Sequence, residues 1–196
     1  MKHICHSDGC PGADMAWENE GKRYGVETIA YSFRNHIQES MNPKILTVEE
    51  LAEGWEHVKI ADKTLKKNVE SLTSPYMRNL LCRNWFQVKN ADAIFAVGKF
   101  GSIRGTVDGG TGWAVQMAVD NKKPVYFFDQ TPPTCNIGGA PMWSYYDYKV
   151  NLFIPLTYCP SLPENFAGIG TRDLNEYGKS AIWMILHTNL AHSSIS

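Results

Sequence analysis

Three times along this 196-residue chain an apolar, strand-like run ends in a turn of small residues that leads into a helix-like segment. HICHS (3–7) gives way to DGCPGAD (8–14), and ADAIFAVG (91–98) to a loop closing on DGGTG (108–112). NFAGIGTR (165–172) contains its own GIGTR turn (168–172). A strand, a glycine turn, a helix and a further strand make a βαβ unit, and repetition of that unit selects a parallel sheet covered by helices. The chain is therefore expected to fold as an α/β protein with a Rossmann-like, mainly parallel sheet flanked by helices.

The remaining segments fit this frame. GADMAWENEGKRYG (12–25) reads as the first helix with Gly25 as its stop, and VETIAY (26–31) as the second strand. Residues 32–46 carry no periodicity. Thr47-Val-Glu-Glu50 is a capping box, in which hydroxyl and carboxylate satisfy each other's backbone donors, and it starts a helix running to about Lys63. Residues 64–74 are polar and loop-like. Pro75 opens PYMRNLLCRNWFQVKNA (75–91), whose Met77, Leu80, Leu81, Trp85 and Val88 recur at helical spacing. WAVQMAVDNKK (113–123) is helix-like and PVYFFD (124–129) is a buried strand. A hairpin is expected around WSYYDYKVNLFI, inside an otherwise irregular stretch 130–163. The helix DLNEYGKSAIWMILHTNL (173–190) closes the pattern, and the tail AHSSIS is expected to fray. One domain over 1–196 is expected, with insertions at about 34–74 and 130–163.

Charge and cysteine content narrow the function classes. With 19 basic and 20 acidic residues, no bulk electrostatic force draws the chain to nucleic acid or an anionic membrane. No apolar run approaches a membrane span of roughly 18–20 residues, and MKHICHSDG lacks the apolar core of a secretion signal. Five scattered cysteines, an odd number, suit a reducing cytoplasm better than a disulfide framework. His3, Cys5, His6 and Cys10 form one cluster, but alternation along a strand sends His3 and Cys5 to one side and His6 to the other, so no metal site is expected there.

In an open parallel sheet, ligands sit beyond the carboxyl ends of the strands, where free N–H groups at helix starts favour anions. Three glycine turns at that edge point to a nucleotide or another phosphorylated ligand. None matches GxxxxGK[ST] or a first-strand GxGxxG, so ATP hydrolysis and ordinary NAD-dependent dehydrogenation lose support. Gly9, Gly12, Gly109, Gly110 and Gly170 are candidate contacts, with Asp8 and Thr111 beside them and Thr171 after the third turn. Each glycine also admits the simpler role of permitting the backbone path. Asp14 either supports a helix start or accepts a ribose hydroxyl; in an enzyme it would be the general base, with Glu18 the other carboxylate candidate. Arg172 stands at a helix start against the helix dipole, which suggests an anionic partner. Trp113 could stack on a base or pack in the core, and Asp129 could accept a hydroxyl or cap its own turn.

The turns resemble a known set. GCPGADMAW is similar to the GGAxGAD motif of the SLOG superfamily of Rossmann-like nucleotide-binding proteins. RNWFQVKNADAIFAVG, followed by VDGGTGWAVQMAVDNKKPVYFFD, resembles the circularly permuted YpsA-type branch, which includes molybdenum-cofactor carriers. FAGIGTRDLNEYGKSA resembles the opening strand, turn and helix of ordinary SLOG proteins, here standing last. The resemblance, which covers about two thirds of the chain and extends to phage and prophage proteins of this type, implies a permuted SLOG topology. It implies that Arg83 and Asn84 reach the ligand edge, and that the protein binds a nucleotide-derived small molecule such as an ADP-ribose, NAD-derived or cyclic-nucleotide species. In a phage protein that would serve to sequester a host antiviral signal. The same resemblance admits an N-glycosidic hydrolase or transferase and a molybdopterin-type carrier, and it implies a homo-oligomer. Two departures stand out. Asp8 replaces a family glycine, and the helix after GGT reads GWAVQMA with no acid before Asp120, so the glutamate of the phosphoribohydrolase branch is missing.

Overall fold

The computed structural model describes residues 2–132 and 142–191. In chain order the elements are β1 (Ile4–Ser7), α1 (Ala13–Arg23), β2 (Glu27–Ser32), β3 (Pro43–Ile45), α2 (Val48–Leu65), α3 (Pro75–Cys82), α4 (Asn84–Asn90) and β4 (Ala93–Gly98). Then follow α5 (Gly109–Asp120), β5 (Val125–Asp129), β6 (Trp143–Asp147), β7 (Leu152–Pro155), β8 (Asn165–Gly170) and α6 (Glu176–Leu190). The expected α/β class holds: one mixed sheet in the order β3-β2-β1-β8-β4-β5-β6-β7, parallel from β3 to β5 and antiparallel across β6 and β7.

All six residues of β4 are buried, as a parallel strand covered on both faces requires. On one face α2 to α5 bury Val58, Phe86, Val88, Met117 and Ala118 against Ile94, Ala96 and Ile169. On the other, α1 and α6 bury Trp17, Ile182, Ile185 and Leu186 against Cys5, Phe95 and Phe166. Trp17 anchors that second layer, its ring 5.8 Å from Phe166 and 6.3 Å from Phe95. Removing so large a fully buried side chain costs about 3–5 kcal/mol.

The capping box forms as read: Glu50 N–H donates to Thr47 Oγ1 (3.2 Å) and Thr47 N–H to Glu50 Oε2 (2.8 Å). The hairpin within 143–154 is β6–β7. Residues 133–141 of the expected insertion 130–163, and the tail from residue 192, lie outside the described residues.

Three expectations are corrected. The single helix over 75–91 is two, meeting at Arg83, where Phe86 N–H bonds the Arg83 carbonyl three residues back and tightens the joint. A short strand, β3, interrupts the irregular stretch 32–46; its residues are all exposed, so no burial pattern announces it. α5 begins at Gly109 rather than Trp113, because the glycines of the turn form the helix's own first turn.

The order of strands sets where a crevice opens. The chain steps from β1 outward to β2 and β3, then crosses to β4 and steps the other way to β5, while β8 fills the gap between β1 and β4. At such a reversal the loops leaving neighbouring carboxyl ends diverge and open a crevice.

Candidate functional site

The loops after β1, β4 and β8 border a cleft of about 520 Å³ at that reversal, and α3 and α4 form its outer wall. Clefts of roughly 300–1,000 Å³ hold small molecules. Of the expected contacts, Asp8, Asp14, Arg83, Asn84, Gly109, Gly110, Thr111, Gly170, Thr171 and Arg172 line it.

The start of α5 is open. Its N-cap residue, Asp108, makes no side-chain capping bond, and the first turn holds no acid. The first N–H groups of a helix have no partner within the helix and carry its positive dipole end. A methyl group built on Gly109 or Gly110 meets nothing within 4 Å. Asn84 Nδ2 donates to the Gly110 carbonyl at 3.5 Å and steadies this turn. Arg172, exposed, and Lys99, also exposed, stand on the bordering loops.

The β1–α1 turn is closed. Gly12 has φ 97°, and a Cβ there would lie 2.5 Å from the carbonyl oxygens of Thr171 and Arg172. Ala13 N–H already donates to the Thr171 carbonyl at 3.0 Å, so this helix start is occupied by the neighbouring loop. Gly170 packs as tightly, with Val97 O 2.4 Å from where its Cβ would be.

Asp8, at the position where the resembling family has glycine, is a structural acid. Its Oδ1 accepts from Cys10 N–H (2.8 Å) and its Oδ2 pairs with Arg83 Nη2 (2.8 Å). Arg83 is only 4% exposed, and its pKa is nonetheless raised, because the Asp8 carboxylate beside it favours the charged form against the cost of burial. Arg83 Nη1 also donates to the Asp8 carbonyl (3.2 Å) and to His36 Nε2 (3.0 Å), while His36 Nδ1 donates to Ser32 Oγ (2.9 Å). That pattern needs a neutral imidazole, and burial with Arg83 alongside pulls the His36 pKa down to about 4. Cys10 Sγ lies 3.4 Å from Arg83 Nη2, yet burial and Asp8 push the thiol pKa up.

Asp14, 3% exposed, accepts from Ser7 Oγ (3.0 Å) and Asp8 N–H (3.3 Å), both on Oδ1. Burial first, and the neighbouring Asp8 second, hold its pKa well above the ordinary carboxylate range against the pull of Arg83.

Other expected contacts are placed elsewhere. Trp113 is buried in the hydrophobic core, because it follows Thr111 by two residues, about 200° around a helix. Ala114, three residues on from Thr111, does line the cleft. Asp129 accepts from Thr131 N–H (2.9 Å) and Oγ1 (2.6 Å), capping its own turn one strand away from the reversal. Glu18 faces the loop before β3, where Met41 N–H donates to it at 3.4 Å, and does not line the cleft. Gly9, with φ 68°, packs against Gln38 and Ser40, and neither it nor Gly12 lines the cleft. His3 and His6 bond the Pro163 carbonyl and the Tyr31 hydroxyl, and Cys5 is buried. Among the described residues no group of three or more His, Cys, Asp or Glu side chains is gathered as a metal site. No helix among them is long and apolar enough to cross a membrane.

Met77, Leu80 and Leu81, which the sequence offers as helix-packing positions, also line the cleft, as do Gln87, Cys10, Lys99 and Asp108, none of which the sequence marks as a ligand contact. The three-residue spacing of Asn84 and Gln87 on one helix was the available signal for Gln87.

Comparison with family models, with curated proteins and with solved structures finds no match to this chain.

Proposed function

We propose that the chain binds a nucleotide-derived small molecule of the ADP-ribose, NAD-derived or cyclic-nucleotide class in this cleft. The observation that carries the reading is the uncapped start of α5, with open space above Gly109 and Gly110 and the cationic Arg172 on the bordering loop. A phosphate placed there meets free N–H donors and the dipole of a 12-residue helix. Arg83, held by Asp8, shapes the floor of the site rather than supplying a free cation. Thr111 and Asp108 offer hydroxyl and carboxylate partners for ribose.

The resemblance to circularly permuted SLOG proteins supports the same reading. In a phage-encoded, cytoplasmic, oligomeric protein it would sequester a host signal without altering it. Small molecules released by heat from the purified protein, identified by mass spectrometry beside a thermal-shift panel of ADP-ribose, NAD, AMP and cyclic dinucleotides, test it. An intact nucleotide with a matching rise in melting temperature is expected; no ligand and no shift would overturn the reading. A metal-containing pterin in the released material would identify a molybdopterin-type carrier instead.

One observation favours a second reading. Asp14 is a buried carboxyl that lines the cleft and whose pKa burial raises, which suits it to act as an acid on a leaving group, as cleavage or transfer at an N-glycosidic bond requires. Under that reading the released material is a free base or a ribose phosphate, and Asp14→Asn abolishes turnover while binding survives.

A further inference from the structure

The cleft wall holds a polar group without a partner. Gln87, on α4, is 1% exposed and lines the cleft, and among the described residues its Nε2 has no hydrogen-bond partner. Its neighbours along the wall are apolar: Leu80 and Leu81 from α3, and Ala114 from α5. Asn84, one turn earlier on the same helix, faces the same cleft and is already tied to the Gly110 carbonyl. A buried amide beside leucines is destabilising unless something completes it, and natural proteins seldom leave such a group unpaired.

The side chain of Gln87 decides what could complete it. A carboxamide carries one N–H donor edge and one carbonyl acceptor on a plane, without charge. Phosphate would prefer the open start of α5, where donors are charge-assisted. A planar heterocycle with an adjacent ring-nitrogen acceptor and exocyclic amino donor matches a carboxamide in two parallel hydrogen bonds, as adenine does with glutamine or asparagine. Leu80 and Met77 supply apolar surface for the faces of such a ring.

We infer that Gln87 reads the amino edge of an adenine-type base, so that the cleft holds the phosphate at the start of α5 and the base against the α3–α4 wall. The inference rests on the nucleotide reading above and adds to it a base class and a specificity-determining residue that touches the ligand.

The test compares AMP with purine riboside 5′-monophosphate, which has the same ring and phosphate and lacks only the amino group, together with inorganic pyrophosphate as an anion control. Dissociation constants are measured calorimetrically for the full chain and for Gln87→Met, which keeps the length of the side chain and removes the amide. Wild-type protein is expected to bind AMP at least about tenfold more tightly than the purine analogue, and the variant to bind both equally, with pyrophosphate affinity unchanged. Equal binding of AMP and the analogue by the wild type overturns the base assignment, while pyrophosphate binding keeps the anion site standing. A variant that loses pyrophosphate and AMP alike makes Gln87 a structural residue and also overturns it. Failure of all three probes on the wild type overturns the base assignment, and the nucleotide reading falls with it when ADP-ribose, NAD and cyclic dinucleotides also give no shift. Should Gln87→Met not fold, Gln87→Leu is measured in its place against the same outcomes.

Discussion

The turn into α1 and the turn into α5 look alike in sequence, DGCPGAD and DGGTG, and differ in what surrounds them. In the first, the glycine at 12 is demanded by neighbouring backbone, and the N–H of Ala13 is consumed by the Thr171 carbonyl. In the second, the glycines at 109 and 110 face empty space and no side chain caps the helix. One turn is a joint between loops of the same protein, and the other leaves its donors open, at the place where the proposed ligand would bind. A glycine-rich turn therefore says little until its donors have been accounted for.

The largest expected effect breaks the closed turn at its ion pair. Asp8→Ala leaves the Arg83 guanidinium buried without its carboxylate, and urea denaturation should record a loss of about 3–5 kcal/mol. Next comes the direct contrast between the two glycine sets. Gly12→Ala combines a positive φ of 97° with carbonyl oxygens 2.5 Å from the new methyl, and should cost about 2–4 kcal/mol by the same measurement. Gly110→Ala should leave stability within about 1 kcal/mol, or raise it slightly, since alanine is the better helix former. Its effect should appear instead as roughly a tenfold loss of affinity for a phosphate-bearing ligand in titration calorimetry, because the ligand's approach is what that glycine permits. A large stability loss at 110, or none at 12, would erase the distinction.

Smaller effects appear as pH dependence around the closed turn. The Asp14 carboxyl is held above its ordinary value of 3.8, so its contribution to stability is fully present below that pH and is lost as pH rises through the folded value. Denaturation curves of Asp14→Asn and wild type should therefore diverge in the variant's favour as pH rises above about 4. His36 has the opposite sign. Its pKa falls from 6.5 to about 4 on folding, so stability is intact above pH 6.5 and is lost as pH falls toward 4. The groups facing it are Arg83, Asp8 and Arg172, and His36→Gln should flatten the acid limb. Smallest of all, Asp129→Ala removes only a local turn bond, costing about 0.5–1 kcal/mol, and thermal shift should find ligand binding unchanged.

The helices, most of the strands and the edge of the sheet at which the cleft opens were legible because periodicity and turn chemistry are local. Trp113, which the sequence leaves between base stacking and core packing, packs in the core, on the face of α5 turned away from Thr111. The closed turn was not legible. Asp8 and Arg83 lie 75 positions apart, and only the position of α3–α4 across the sheet brings them to 2.8 Å. Gln87 was hidden differently, on a helix whose apolar spacing suggested nothing but packing.

The rims of the sheet have a consequence of their own. β3 has three residues and opens with Pro43, and β7 has four and closes with Pro155. Short, proline-bearing rim strands offer a poor template for another chain to continue the ladder. Among the described residues the sheet has eight strands, and its rims offer another chain little ladder to extend.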